Sequence, residues 1–164
     1  MPGQHQCQSS SKRDRCFKKT GKQAIGRSRG GLTTKIHLVT ASDRSVVAFR
    51  LSPGNRHDAP EGELLLDEMK RQAGQLYMLM DRAYEGDRIR AKVVEMGYSP
   101  VVPPKKNRKE PWEYDKERYK QRNEIERFIL RLKRFRKVFT RYDKLDSLFS
   151  GFIYFAMIID AILV

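Results

Sequence analysis

"QLYMLMD", residues 75–81, is a short apolar run that ends in a carboxylate. A run of this length without polar alternation fits a buried strand covered on both faces. On its amino side, Asp58 to Gly74 places Leu64, Leu65, Leu66 and Met69 between an acidic start and a glycine, which predicts a helix. On its carboxyl side, Glu85 to Met96 predicts a second helix stopped at Gly97, and "YSPVVPP" (98–104) a further short strand. Upstream, "TTKIHLVTASDRSVVAFRLSPG" (33–54) carries a β-rich run with Ile36 and Leu38, a polar Ser42–Ser45 turn and a second run from Val46 to Leu51, the signature of a β-hairpin. With two helices at the end, the order is strand, strand, helix, strand, helix, strand, helix, helix. That alternation predicts an α/β layered domain. Asp81 then sits at the carboxyl end of a strand, where ligand groups of open α/β sheets gather. An edge residue or a helix cap is the plainer alternative.

"YKQRNEIERFILRLKR" (119–134) predicts a helix. At about 100° per residue, Ile125, Phe128, Ile129, Leu132, Phe135 and Phe139 form one apolar stripe for the core. Tyr119, Arg122, Glu126 and Lys133 gather beside it in a sector of roughly 60°. A solvated edge with an Arg122–Glu126 pair, contributing a few tenths of a kcal/mol, accounts for the same spacing.

The 164 residues fit one domain, and 39% apolar content suffices for a core. Charge is the unusual quantity: 34 Lys and Arg against 20 Asp and Glu give a formal net charge of +14. Such a chain attracts polyanions, with nucleic acid first and an anionic membrane surface second. The most apolar stretch, Phe149 to Val164, contains Asp160 and is shorter than the roughly 20 residues a membrane span needs, so it reads as a buried terminal helix or an oligomer contact. No signal-peptide pattern is present, which predicts a cytoplasmic, nucleoid-associated protein with no membrane partner. Met1 to Lys22 reads as a flexible basic tail, leaving 23–164 as the folded domain. Cys7 and Cys16 read as free thiols, and together with His5 they fall short of the four ligands of a structural zinc site. "IGRSRGG" (25–31) is a basic turn without the Gly-Lys-Ser/Thr ending of a phosphate-binding loop. Trp112 reads as a core or turn aromatic, with base stacking as the alternative.

From Lys22 onward the chain resembles the catalytic domain of DDE transposases of bacterial insertion sequences, of the group often numbered five. The segments that carry the resemblance, in order, are "QAIGRSRGGLTTKIHL", "LSPGNRHDAPEGELLLD", "MDRAYEGD", "VVPPKKNRK", "YKQRNEIERFILRLK" and "FTRYDKLD". Tyr119, Arg122, Glu126 and Lys133 stand at the Y-x2-R-x3-E-x6-K spacing of that group. The resemblance implies an RNase H-like mixed sheet flanked by helices, with Asp81 and Glu126 as catalytic and metal-binding carboxylates for Mg²⁺ or Mn²⁺. Two such ions can stabilise the attacking and leaving oxygens of a phosphoryl displacement. It implies DNA contacts from Tyr119, Arg122 and Lys133, and phosphate contacts from Lys105, Lys106, Arg108 and Lys109. The implied reaction cleaves DNA with water at insertion-sequence ends and joins the 3′ hydroxyls to target DNA.

One part of the pattern is missing. The first aspartate of such domains lies on a first strand, in a stretch reading like Asp-Ser/Gly-Thr-x-Val, and "MPGQHQCQSSSKRDRC" (1–16) is unlike it. Asp14, Asp43 and Asp58 are no replacement. The fold is therefore expected to be N-terminally truncated, with two strand edges facing each other across a gap, and the chain to be the downstream part of a longer product, as in relatives encoded in two overlapping frames. Two further readings follow: a non-catalytic DNA-binding fragment that regulates full-length transposase, and an inactive remnant. The resemblance implies a multimer, although no heptad is evident in the sequence.

Overall fold

The computed structural model describes residues 21–69 and 76–162. Residues 1–20, which hold most of the tail with His5, Cys7, Cys16 and Asp14, lie outside them, as do the predicted helix end at Gly74 and Gln75.

Glycine and serine make the first turns. β1 (Gly26–Ser28) and β2 (Gly31–Thr40) form an antiparallel hairpin whose turn closes at Gly31, with φ +106°, a conformation that favours glycine. The basic turn of the sequence is thus a hairpin tip. β3 (Val46–Pro53) pairs antiparallel with β2, Leu38 opposite Phe49, and Ser42 Oγ accepts the backbone N–H groups of Arg44 and Ser45 in the turn between them. α1 (Asp58–Asp67) opens with an acid and carries Pro60 in its first turn, where a missing N–H costs nothing. β4 (Leu76–Leu79) and β5 (Tyr98–Val101) run parallel, joined by a 3₁₀ turn (Arg82–Tyr84) and α2 (Asp87–Glu95), and Gly97 ends α2 with φ +88°. The chain closes with α3 (Lys116–Lys120), α4 (Asn123–Leu132), α5 (Arg136–Phe139) and α6 (Asp146–Ile162). The α/β class follows the sequence, as does the order from β2 to β5, whereas the strand β1 and the division of the end of the chain into four helices depart from it.

Two hydrophobic cores result. Phe128, Leu132, Val138, Phe149, Ile153, Ala156 and Met157 pack under β2 and β3, whereas Leu66, Met80, Ile89, Val93, Met96 and Val102 join α1 and α2 to the parallel pair. Gly62 lets α1 meet the second core closely, since a Cβ there would lie 2.7 Å from Tyr84 Cε1.

The strands form two sheets, β1-β2-β3 and β4-β5. β1 covers only Gly31–Thr33 on the edge of β2 away from β3, so Thr34–Thr40 has no strand partner on that edge among the described residues. Between this edge and β4 lies a cavity of about 1350 Å³, closed on one face by α1 residues Gly62, Leu65 and Leu66 and on the other by α4 residues Ile125, Ile129 and Leu132. β4 is consequently not the buried strand its composition suggests: Leu76 and Tyr77 are exposed, with β5 its one neighbouring strand among the described residues.

A second difference lies in the 119–139 segment, which is three short helices rather than one. Gln121 and Arg122 stay right-handed while the hydrogen bonding tightens to i→i+3, so the register of Arg122 and Glu126 survives. Phe135 is extended, and the rotation it introduces buries Val138 and turns Phe139 outward.

His37, Tyr84 and Ser52 tie the halves together. His37 Nδ1 lies 2.8 Å from Tyr84 Oη and Nε2 2.8 Å from Ser52 Oγ, so the ring is fully partnered while buried. Burial lowers the His37 pKa below its ordinary 6.5, against the opposing pull of Asp58 and Glu61. The unfolded chain therefore takes up this proton first on acidification. The stability His37 supplies is complete above pH 6.5 and is lost as the pH falls below it. From about pH 7 to about pH 5.5, Tm is expected to fall further in the native chain than in His37→Gln. Parallel thermal melts across that range check it.

Candidate active site

Asp81 lies just past β4, where Met80 N–H donates to Val101 O and the chain turns into the 3₁₀ segment. Its carboxylate caps that turn, Oδ1 accepting from Ala83 N–H at 3.1 Å, which fixes its direction. Its other oxygen, Oδ2, accepts from Arg122 Nη1 at 2.9 Å. The same Arg122 nitrogen lies 2.8 Å from Glu126 Oε1, one helical turn further along α4. Two carboxylates from separate cores thus meet on one guanidinium. Arg122 is mostly covered, with 23% side-chain exposure, whereas Asp81 and Glu126 keep 54% and 51% open to solvent. All three line the large cavity, as does Lys133, which ends α4.

Tyr119 stands beside this group, its ring 5.5 Å from the Arg122 guanidinium carbon and edge-on to Tyr114. Burial raises its phenol pKa above the ordinary value and outweighs the opposing charge of Arg122. At neutral pH it is a hydrogen-bond donor rather than a base.

"MDRAYEGD" supplies more than Asp81. Tyr84 holds His37, and Glu85 is buried with Lys105 Nζ at 2.9 Å and Arg108 Nη1 at 3.4 Å. Burial pushes the Glu85 carboxyl up, but its hydrogen bonds from Lys105 and the charge of Arg108 hold it below the usual range. Asp87 takes the other arm of Arg108. Of the four loop cations, Lys105 and Arg108 therefore anchor the loop to the segment after Asp81, while Lys106 and Lys109 stay exposed. Trp112 is held between Arg90, 3.5 Å from its ring centre, and Arg108, with its N–H on Val102 O. It is a packing residue here.

"FTRYDKLD" and "QAIGRSRGG" form a clasp that spacing does not reveal. Asp146 accepts from Ala24 N–H at 2.8 Å and pairs with Arg141 at 2.6 Å, while Arg141 reaches Thr34 Oγ1 at 2.7 Å and Ala24 O at 3.3 Å. The start of the described chain is tied to α6 and to the rim of the cavity. His37 and this clasp position the site, and nothing in their local sequence pattern marks them. Their one signal is position: all of them fall within the segments that carry the family resemblance.

Asp81, Arg122 and Glu126 thus form one ion-pair cluster on the cavity wall of a chain of net charge +14. The chain belongs to the family described as the transposase DDE domain, which matches residues 3–159. The match thus extends into the first twenty residues. Over 126 residues the chain is 29% identical to a putative transposase for insertion sequence element IS6501 from Brucella ovis, covering 76% of this chain and 95% of that protein. No solved structure matches it. No helix among the described residues is long and apolar enough to cross a membrane.

Proposed function

We propose that the chain takes part in DNA strand cleavage and strand transfer at insertion-sequence ends, with Asp81 and Glu126 as ligands of a divalent cation. The observation that carries this is the shared Arg122 nitrogen, 2.9 and 2.8 Å from the two carboxylates. Among the described residues no third acid, histidine or cysteine joins them. Two open carboxylates do not make a closed cage, but they suit Mg²⁺ or Mn²⁺, which commonly keep water and take substrate phosphate oxygens alongside one or two carboxylates. A bound cation supplies Lewis-acid polarisation of a phosphoryl oxygen.

The chain's own residues do the rest. The Ala83 N–H fixes one oxygen of Asp81 while the other stays on the Arg122 side of the carboxylate. Arg122, released from one carboxylate, offers a planar fork to a phosphate. Lys106, Lys109 and Lys133, exposed and without sequence readout, hold the DNA backbone through charge, while Lys105 and Arg108 set the position of their loop. Tyr119 lends a neutral hydroxyl beside them.

The cleft between β2 and β4 is, in this reading, the seat of a further strand that completes an RNase H-like mixed sheet. Two edges without a strand partner among the described residues face it, helices line both its faces, and its volume exceeds the roughly 300–1000 Å³ of small-molecule sites. An extended segment there satisfies both edges at once. The open cleft also favours a second reading, in which this chain alone binds DNA and regulates a longer transposase without cutting.

Supercoiled plasmid carrying the DNA that flanks the gene, incubated with the protein and Mn²⁺, separates them. Nicks at the element boundary support catalysis. Salt-sensitive binding without nicks supports the regulatory fragment, and the absence of binding at low salt refutes both.

A further inference from the structure

The hairpin of β1 and β2 has a fixed base and a bare tip. At the base, Asp146 accepts from Ala24 N–H, Arg141 reaches Ala24 O and Thr34 Oγ1, and Gly26 lies so close to Asn55 that no Cβ fits there. At the tip, Ser28 pairs with Gly31, so Arg29 and Gly30 alone make the turn. Nothing lies within 4 Å of where a Cβ on Gly30 or Gly31 would stand. Arg27 and Arg29 are exposed, as is Leu32, which stands opposite Arg27 in the register.

The charge of this tip is uncompensated. No acid stands between Asp14 and Asp43, a span that holds seven cations. Arg88, Arg108, Arg131 and Arg141 each meet a carboxylate, whereas Arg27 and Arg29 meet none among the described residues.

We propose that the hairpin tip is a DNA-binding site separate from the carboxylate pair, with Arg27 and Arg29 on phosphates of the same duplex, a proposal that rests on the function given above for that pair. A ribbon of two strands fits the major groove, which is roughly 12 Å wide. The bare glycines let the backbone itself come close to a phosphate. Because the base is anchored on both strands, little freedom is lost when the tip engages. The reach also fits. Tyr84 joins the turn after Asp81 to His37, and from His37 back to Gly31 β2 extends about 20 Å, or about six base pairs of duplex. One duplex therefore meets both the carboxylates and the tip, and the tip adds grip without touching the cation site.

Filter binding of the full chain to a duplex of about 30 base pairs, without metal and over a range of salt, reads the tip apart from catalysis. Arg27→Gln/Arg29→Gln should weaken binding at least tenfold at about 50 mM salt and lower the salt slope by about 1.8, the value of two phosphate contacts. Arg88→Gln/Lys92→Gln removes the same charge from cations that Glu63 and Asp67 already neutralise, and should leave affinity within about twofold. Arg27→Lys/Arg29→Lys should restore the slope, and far-ultraviolet circular dichroism should show all three variants folded. An equal loss in the two glutamine variants, or no loss in the tip variant, overturns the proposal and leaves the proposed reaction standing. Failure of the native chain to bind duplex at low salt overturns both. A tip variant that binds duplex normally but no longer binds phosphatidylserine vesicles assigns the tip to a lipid surface and also overturns it.

Discussion

Asp81→Asn and Glu126→Gln are each expected to lower metal-dependent strand cleavage by about a thousandfold, while duplex DNA affinity stays within about twofold. Both substitutions keep the side chain's size and remove one unit of negative charge. Cation coordination and transition-state charge stabilisation are worth several kcal/mol, and each 1.36 kcal/mol is a factor of ten. Binding depends on a different quantity, the net positive charge, which each substitution slightly increases. The split between binding and cleavage is therefore the diagnostic. Arg122→Lys should fall between native and acid variants, since a lysine keeps the charge but cannot offer a phosphate the paired donors of a planar guanidinium. Filter binding and plasmid nicking on the same preparations read both quantities.

The second large effect concerns the core beneath Glu126. Phe128 has no exposed surface and lies among Leu132, Val138, Phe149 and Ile153. Phe128→Ala should lower unfolding stability by about 3–5 kcal/mol through lost burial and the cavity left behind. Against a total of about 5–15 kcal/mol, much of the chain would then be unfolded at 37 °C. Leu130→Ala, two residues along the same helix but 64% exposed, should change stability by less than about 0.5 kcal/mol. Urea titration of both variants measures the contrast. Since α4 carries Glu126 on one side and Phe128 on the other, the Phe128 variant should also lose cleavage.

The sequence disclosed what is local or periodic. The hairpin, the helices on either side of β4 and the Gly97 stop follow from turn chemistry and spacing, and Arg122–Glu126 is an i,i+4 contact that survives the tightened turn before it. Asp81 at the end of its strand was legible from chain order alone. The rest depends on contacts between distant segments. His37 looks like any alternating strand residue until Tyr84 and Ser52 arrive on its two nitrogens. Arg141 and Asp146 look like solvated charges until they close on Ala24 and Thr34. Phe139 fits the helical stripe but leaves it because Phe135 breaks the helix, a change of backbone direction that periodicity cannot register. The exposure of β4 was hidden for a related reason. An apolar run reports that a strand is suited to cover on both sides, and the neighbour that would provide it is absent from the described residues.

The claim that Asp81 and Glu126 form one cation site is tested most directly by calorimetric titration of Mn²⁺ into the native chain and the Asp81→Asn/Glu126→Gln pair. One saturable site in the native chain that disappears in the double variant is the predicted result. Equal binding in both proteins, or none in the native chain, would contradict it.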